Sequence, residues 1–288
     1  MVVLVTGANG QLGQSLQFIA PNYPEIEFVF CDVAQLDITN TENCQAIFEQ
    51  YKPDFCINTA AYTAVDKAES EPEKAHLINV EGAKNLAIAC KKHNAILLHI
   101  STDFVFDGTK KTPYTEEDIP NPTGVYGQTK LDGEKAIQVN CENYFIIRTA
   151  WVYSQFGNNF MKTMLRLASE RDKLSVVNDQ IGTPTNAVDL AQVLVKIVQS
   201  PNIQHPTSNT FGIYNFSNEG QCSWFDFAKE IFRLNDVSID LQPIPTNAYP
   251  TPAKRPAYSV LDKSKIKSTF HFEFSEDIDS WQMSLKNM

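Results

Sequence analysis

Two side chains near the middle of the chain have the spacing of an acid–base pair. Tyr126 and Lys130 stand four residues apart, and the stretch 120–124 before them contains two prolines and a glycine. Because those residues do not fit a helix interior, the segment 126–137 is predicted to begin a new helix with both side chains on one face. A phenol ordinarily has a pKa of about 10, and a nearby cation favours the phenolate and lowers that pKa. The pair is therefore a candidate general acid and base.

A hydroxyl is predicted to lie beside this pair. Thr102 follows the apolar run 95–100, which is typical of a buried parallel strand, and open α/β sheets bind ligands at the carboxyl ends of such strands. The hydroxyl of Thr102 would hold a substrate carbonyl oxygen against Tyr126. Tyr and Lys at this spacing also occur on solvated helix faces, so the interpretation depends on the rest of the chain.

The chain begins with a strand, a glycine-rich turn and a helix. The apolar segment 2–5 is followed by Thr6 and by Gly7, Gly10 and Gly13. The first glycine lets the turn close, the second lets backbone N–H groups approach a pyrophosphate, and the third lets the helix pack on the strand. Glycines also occur in tight turns that bind nothing, so this motif alone is weak evidence for a dinucleotide.

An acidic residue follows the second predicted strand. Asp32 comes after the strand 28–30, about 20 residues beyond the glycines, where a carboxylate suits the ribose hydroxyls of NAD. No Arg or Lys follows at once to receive the 2′-phosphate of NADP. NADH is therefore favoured as cofactor and NADPH stays open. Asp32 as a merely solvated strand end also stays open.

Strands and helices alternate along the whole chain. Helices are predicted over 41–51, 72–92, 160–171, 187–199 and 223–234, and strands over 55–58, 95–100, 144–147, 174–177 and 212–216. This alternation predicts an α/β, Rossmann-like, doubly wound parallel sheet covered by helices on both faces. We predict an NAD(P)-binding domain over 1–150. A smaller, interwoven α/β substrate-binding domain takes up most of 151–288, with segments around 174–215 returning to the first domain.

Three further residues are candidates for the substrate side of the cleft. Trp151 leaves the strand 144–147 at the same sheet edge as Thr102, where it would be either a stacking surface or part of the core. The Pro-rich run 243–256 is predicted to be a loop lining the cleft, and it carries Lys254 and Arg255. These two bases would bind a substrate diphosphate or serve only as solvated surface.

Composition and charge exclude several classes of protein. The chain has 288 residues, 43% hydrophobic and 20% charged, with a formal net charge of -10, which argues against nucleic-acid or membrane partners. The beginning of the sequence lacks the basic and apolar regions of a signal peptide, so we predict a cytoplasmic protein. The six cysteines and five histidines are not arranged at metal-ligand spacing, which predicts buried thiols and no zinc site.

Several blocks of sequence resemble one family. The glycine turn, Thr102 and the Y-x-x-x-K spacing of Tyr126 and Lys130 resemble the extended short-chain dehydrogenases/reductases. More narrowly, the chain resembles the dTDP-4-dehydrorhamnose reductases in the blocks 58–69, 101–108, 148–153, 158–160, 178–185 and 255–256. These blocks cover most of the chain in order, and the resemblance weakens between 200 and 250 and after Ser259.

The resemblance implies a reaction and a set of contacts. NADH or NADPH would reduce the C4 ketone of a nucleotide-sugar substrate, dTDP-4-dehydro-L-rhamnose, in a monomer or homodimer. The implied contacts are Gly10, Gln11 and Leu12 with the pyrophosphate, Asp32 with the adenosine ribose, Asp37 and Ile38 with adenine, Ala61, Tyr62 and Thr63 along the cofactor, Tyr126 and Lys130 with the nicotinamide ribose, and Thr102, Asp103 and Trp151 with the sugar.

The resemblance leaves a metal and two other functions to consider. Some relatives dimerise around a magnesium ion held by carboxylates, one of them from the first helix, but Gln14 and Ser15 occupy that part of the helix. We therefore expect no metal. Another nucleotide-sugar epimerase or dehydratase shares the fold and Y-x-x-x-K. A non-catalytic regulatory subunit, like the methionine adenosyltransferase beta subunit, resembles the same family.

Overall fold

The computed structural model describes residues 1–204, 210–271 and 280–286. The strands are β1 (Val2–Thr6), β2 (Glu27–Cys31), β3 (Phe55–Asn58), β4 (Ile96–Thr102), β5 (Tyr144–Thr149), β6 (Val152–Tyr153), β7 (Lys173–Val177), β8 (Ile181–Gly182), β9 (Thr185–Asn186), β10 (Gly212–Asn215), β11 (Cys222–Ser223) and β12 (Asp240–Ile244). The helices are α1 (Gln11–Ile19), α2 (Thr41–Tyr51), α3 (Val65–Ala68), α4 (Pro72–His76), α5 (Gly82–His93), α6 (Val125–Asn140), α7 (Phe160–Glu170), α8 (Ala187–Gln199), α9 (Pro201–Gln204), α10 (Trp224–Leu234), α11 (Ser264–Phe270) and α12 (Trp281–Lys286).

Six strands form one sheet in the order β10-β5-β4-β3-β1-β2. Every neighbouring pair in it is parallel, so the predicted parallel sheet is confirmed. The chain passes from β1 to β2 on one side and then returns to β3 on the other side of β1. Such a reversal of strand order opens a crevice at the carboxyl ends of the strands, which is where α/β sheets bind ligands.

Helices cover both faces of the sheet, and alternate side chains of β1 are buried against opposite faces. Val3 and Val5 pack with α1 and α8 in one core cluster, whereas Leu4 packs with α2 and α5 in another. This two-sided burial of a parallel strand explains its unbroken apolar sequence. All six cysteines are buried and free, and five of them lie in the second cluster.

The chain after residue 150 contributes to two places. A third core cluster joins α7, α10 and α12, and β7 pairs with β12 outside the main sheet. β10 returns to the main sheet beside β5, and α8 packs on α1. The partition of the chain into cofactor-binding and substrate-binding domains stays a prediction.

Two predicted elements differ in detail from the structure. The helix expected over 72–92 contains a π-helical turn, Leu77–Glu81, between α4 and α5. There the buried Asn79 side chain bonds the backbone of Tyr62 and the hydroxyl of Thr129, and such insertions often accompany functional sites. The first residues of the loop expected over 243–256 belong instead to β12. A strand that pairs on one side only, as β12 does with β7, can accommodate Pro243.

Among the described helices, none is both long and apolar enough to cross a membrane.

Candidate active site

A cavity of about 1060 Å³ lies at the carboxyl ends of the central strands. Most of the residues predicted for the site line it, namely Gly7, Gly10, Gln11, Leu12, Asp32, Asp37, Ile38, Ala61, Thr63, Thr102, Asp103, Tyr126, Lys130, Trp151 and Arg255. Gly13 and Tyr62 do not. A second depression of about 890 Å³, between α4 and the start of α6, is lined by none of the predicted residues.

The glycine turn is closed by close backbone contacts. Gly7 has φ +63°, and a Cβ there would lie 2.8 Å from the backbone of Ala60. A Cβ on Gly13 would lie 2.4 Å from the carbonyl oxygen of Gly7. Gly13 is therefore a packing residue, which brings the start of α1 against the turn and explains why it does not line the cavity.

The start of α1 fits an anionic group. Among the described residues, no side chain caps this helix at Gly10 and none of its first-turn residues is acidic. Its first N–H groups therefore remain available to a negative charge at the positive end of the helix. The side chain of Gln11 is used elsewhere, since it donates to Val152 O and accepts from Asn159. The residues present thus fit a dinucleotide pyrophosphate.

Acidic side chains line the cavity beside the glycine turn and in the loop before α2. Asp32 accepts a hydrogen bond from Asn9 Nδ2 at 2.8 Å, which holds the carboxylate beside the glycine turn. Asp37 accepts from the backbone and hydroxyl of Thr39, and this closes the loop before α2. Tyr62 instead points its hydroxyl at Glu71, 2.8 Å away.

Lys130 is held by the strand that ends in Thr102. Its Nζ donates to Ile100 O at 2.6 Å and lies 3.2 Å from His99 Nε2. The side chain is 2% exposed, and burial lowers the pKa of Lys130 to about 8.

Tyr126 differs from the prediction in its ionisation. Burial raises the pKa of Tyr126 to about 12, and the charge of Asp103 adds to the rise, while the Thr102 hydroxyl opposes it. The expected lowering by Lys130 is wrong for the protein alone. Loss of solvation disfavours the charged phenolate and so raises the pKa of Tyr126. Lys130 does not offset this rise, because its amine is bonded to Ile100 O in β4.

Thr102 and Asp103 form a polar corner beside Tyr126. The Thr102 hydroxyl accepts from Phe104 N and lies 3.1 Å from Asp103 Oδ1, to which it donates. Asp103 is 1% exposed, and burial raises the pKa of Asp103 to about 6. Its Oδ2 is buried, and hydrogen bonds from the hydroxyls of Ser259 and Thr102 oppose the rise in the pKa of Asp103.

A buried ion pair fixes α6 to the strand ends. Glu134, one turn beyond Lys130, accepts from Arg148 Nε at 3.0 Å and from its Nη2 at 2.7 Å. The Ser101 hydroxyl donates to the same carboxylate at 2.5 Å. This bidentate geometry sets the position of the helix relative to Thr102.

Trp151 packs in a position that the sequence did not indicate. Its indole stacks on that of Trp224, with ring centroids 3.5 Å apart, and its backbone φ is 49°. A Cβ on Gly182 would lie 2.5 Å from the indole, so the ring occupies the space above that glycine. The open alternatives of stacking surface and core both apply, since Trp151 is half-buried and also lines the cavity.

Arg255 lines the cavity but already has a partner. Its guanidinium donates to both oxygens of Asp66, at 2.9 and 2.7 Å, and this contact lowers the pKa of Asp66. Lys254 is exposed and is not part of the lining. Only one of the two predicted bases therefore reaches the cavity.

Other lining residues were missed from the sequence. They include Asn9, Lys74, Thr149, Asn158, Phe160 and Trp224. Asn9 could have been found within the glycine motif, but Trp224 gave no signal because its place depends on packing with Trp151.

Comparison with known proteins agrees over the whole chain. The family model described as the RmlD substrate binding domain matches residues 1–288. The dTDP-4-dehydrorhamnose reductase of Aggregatibacter actinomycetemcomitans is 44% identical over 292 residues, which cover 99% of this chain and 97% of the relative. The enzyme of that name from Escherichia coli K12 is 40% identical, with 100% of this chain and 97% of the relative covered.

Solved structures give the same result. A dTDP-4-dehydrorhamnose reductase from Clostridium acetobutylicum has a TM-score of 0.92 at 43% identity and covers 100% of this chain and 98% of its own. One from Bacillus anthracis, in complex with NADP, has a TM-score of 0.91 at 40% identity and covers 99% and 97%. The UDP-glucose 4-epimerase of Thermus thermophilus, at 18% identity and a TM-score of 0.78, shares the fold. On these full-length matches, the chain belongs to the dTDP-4-dehydrorhamnose reductase family.

Proposed function

We propose that the protein uses NADH or NADPH to reduce the C4 ketone of dTDP-4-dehydro-L-rhamnose, giving dTDP-L-rhamnose in the final step of dTDP-rhamnose synthesis. The observation that carries the proposal is the convergence of Thr102, Tyr126 and Lys130 on the cavity that the glycine turn also lines. The names of relatives that match nearly the full chain support this choice of substrate.

The start of α1 and Asp32 would hold the cofactor. The N–H groups at the helix start bind the pyrophosphate, and the Asp32 carboxylate accepts from ribose hydroxyls. The bound dinucleotide supplies the hydride. Lys130 donates to the nicotinamide ribose from its position beside Ile100.

Tyr126 would supply the proton. Because its pKa is raised to about 12, the phenol is protonated at neutral pH and donates to the alkoxide that forms as the ketone is reduced. Thr102 orients the same oxygen by a hydrogen bond that strengthens as negative charge develops there. Asp103 and Trp151 position the sugar, and Arg255 binds the diphosphate in exchange for part of its contact with Asp66.

The test follows the absorbance of NADH, and separately of NADPH, with enzymatically generated dTDP-4-dehydro-L-rhamnose. Stoichiometric oxidation with formation of dTDP-L-rhamnose supports the proposal. Tightly retained NAD that is recycled without net consumption would point to an epimerase or dehydratase. Binding of the dinucleotide without any turnover would point to a regulatory subunit.

The remaining predictions belong to the same proposal. Residues 1–150 would hold most of the cofactor contacts, and 151–288 most of the substrate contacts. The protein would be a cytoplasmic monomer or homodimer, without a bound metal. Light scattering on the purified protein distinguishes the two assemblies.

A further inference from the structure

A line of hydrogen-bonded side chains runs through the sheet to Lys130. Thr6 Oγ1 lies 2.6 Å from Asn58 Oδ1, Asn58 Nδ2 lies 2.9 Å from His99 Nδ1, and His99 Nε2 lies 3.2 Å from Lys130 Nζ. All four residues are buried. The mechanism above uses only Lys130, so the other three members still need a physical reason.

The backbone fixes the orientation of the Asn58 amide. Ala60 N–H donates to Asn58 Oδ1 at 3.1 Å, and the Thr6 hydroxyl donates to the same oxygen. Turning the amide over would place its NH₂ group against the Ala60 N–H, donor against donor. Asn58 therefore presents its NH₂ group to the imidazole of His99.

This orientation selects one tautomer of His99. Because Nδ1 accepts from Asn58, it carries no proton. Burial holds the pKa of His99 well below its usual range, so the ring is neutral and its single proton is on Nε2. That N–H points at Lys130 Nζ.

An ammonium group has three N–H donors and no acceptor. A charged Lys130 would therefore face the His99 N–H donor against donor, whereas an uncharged amine accepts from His99 and still donates to Ile100 O, 2.6 Å away. We propose that Asn58 and His99 are positioning residues that hold Lys130 as an uncharged amine before the cofactor binds.

The surroundings of Lys130 shift its pKa in opposite directions. Burial lowers the pKa of Lys130 to about 8, while the charge of Glu134 opposes the shift. Glu134 is itself neutralised by Arg148 from β5. Tyr126 and Asp103 line the same cavity, together with the more distant charged groups Asp32, Asp37, Lys74 and Arg255 of its lining. The His99 N–H adds to the effect of burial, so we expect Lys130 to titrate below about 8.

Nuclear magnetic resonance on the full protein, without cofactor or substrate, tests this directly. In protein labelled with ¹⁵N-histidine, the ring protons identify the tautomer, and the His99→Gln variant assigns the His99 signals. We expect a neutral Nε2–H ring at pH 7. An Nδ1–H ring would overturn the proposal. The tautomer is read from the unmodified chain, and His99→Gln serves only to assign the His99 signals.

A substitution at Asn58 should reverse the donors and acceptors along this line of hydrogen bonds. In Asn58→Asp the carboxylate accepts a hydrogen bond from Nδ1–H, so the single ring proton moves to Nδ1 and Nε2 becomes an acceptor for a Lys130 ammonium. The Lys130 pKa, followed through labelled Cε, should rise by about 1–2 units. Asn85→Asp places a carboxylate in another buried asparagine site on α5 and should leave the tautomer of His99 unchanged. An unmoved Lys130 titration in folded Asn58→Asp would contradict the proposal, whatever reaction the protein catalyses.

Discussion

The Nζ of Lys130 lies 2.6 Å from the carbonyl oxygen of Ile100, and this contact sets α6 against the strand that carries Thr102. Since Ile100 precedes Thr102 by two residues in β4, a shift of the helix would move the amine and the phenol relative to the hydroxyl. The buried contact of Glu134 with Arg148 and Ser101 holds the next turn of the same helix.

Glu134→Gln should therefore destabilise the protein. It leaves Arg148 as a buried cation without its carboxylate, which typically costs about 3–5 kcal/mol in the free energy of unfolding. Denaturant titration measures the loss. Glu170→Gln, which breaks the exposed contact with Arg166, is the control and should cost less than about 1 kcal/mol. Equal losses in the two variants would contradict the role of the buried pair.

Asp103→Asn should stabilise the protein at neutral pH. Burial raises the pKa of Asp103 from 3.8 to about 6, so between these values the unfolded chain releases its proton before the folded one does. Stability contributed by this group therefore falls as the pH rises through that window, by up to about 3 kcal/mol. Thermal melting of the variant and the parent at pH 5 and pH 8 should show a larger gain at pH 8.

Asp107→Asn is the control of opposite sign. Hydrogen bonds from Thr109 and Asn121 lower the pKa of Asp107 to about 2. Its ionised form stabilises the fold above the unfolded pKa, and this contribution is lost only as the pH falls towards 2. The variant should therefore melt below the parent at both pH 5 and pH 8. A gain in melting temperature of Asp103→Asn over the parent that is the same at pH 5 and pH 8 would show that the Asp103 carboxyl is not strained by burial.

Gly182→Ala should move Trp151. The added methyl would lie 2.5 Å from the indole, so the ring must leave its stack on Trp224. We expect a raised KM for the nucleotide sugar with an unchanged affinity for the dinucleotide, and a changed tryptophan fluorescence. The double variant Gly182→Ala with Trp151→Phe carries a smaller ring, and its KM should be lower than the product of the two single effects predicts. A KM equal to that product, which means that the free-energy effects add, would show that the two residues act separately.

Asp32→Asn should change the choice between cofactors. The carboxylate accepts from ribose hydroxyls but repels a 2′-phosphate, so its removal should lower the ratio of kcat/KM for NADH over NADPH by roughly 10-fold or more. Asp37→Asn, in the next loop along the cavity, is the control. It tests whether the loss of any carboxylate near the cavity lowers the ratio of kcat/KM for NADH over NADPH. An unchanged ratio in Asp32→Asn would place the ribose elsewhere.

Local sequence signals predicted the elements that carry the site. The strand, glycine turn and helix at the start were clear from apolar runs and glycine spacing, and α8 (Ala187–Gln199) was bounded correctly because its periodicity is strong. Proline and glycine before Tyr126 likewise located the start of α6 to within one residue.

Contacts distant in sequence could not be predicted in this way. Trp151 meets Trp224 and Arg255 meets Asp66 only after the chain has folded. The pKa of Tyr126 was predicted in the wrong direction, because spacing on a helix places a lysine nearby but does not reveal burial or the competing bonds of its amine to β4.

The measurement that tests the central claim most directly is the turnover of Tyr126→Phe with dTDP-4-dehydro-L-rhamnose and NADH or NADPH. Removing the proton donor should lower kcat by roughly 10²–10⁴-fold, while calorimetry shows unchanged dinucleotide binding. Tyr144→Phe, a tyrosine of β5 outside the cavity lining, is the control and should keep the parent rate. Near-parental turnover by Tyr126→Phe would contradict the assignment of Tyr126 as the acid.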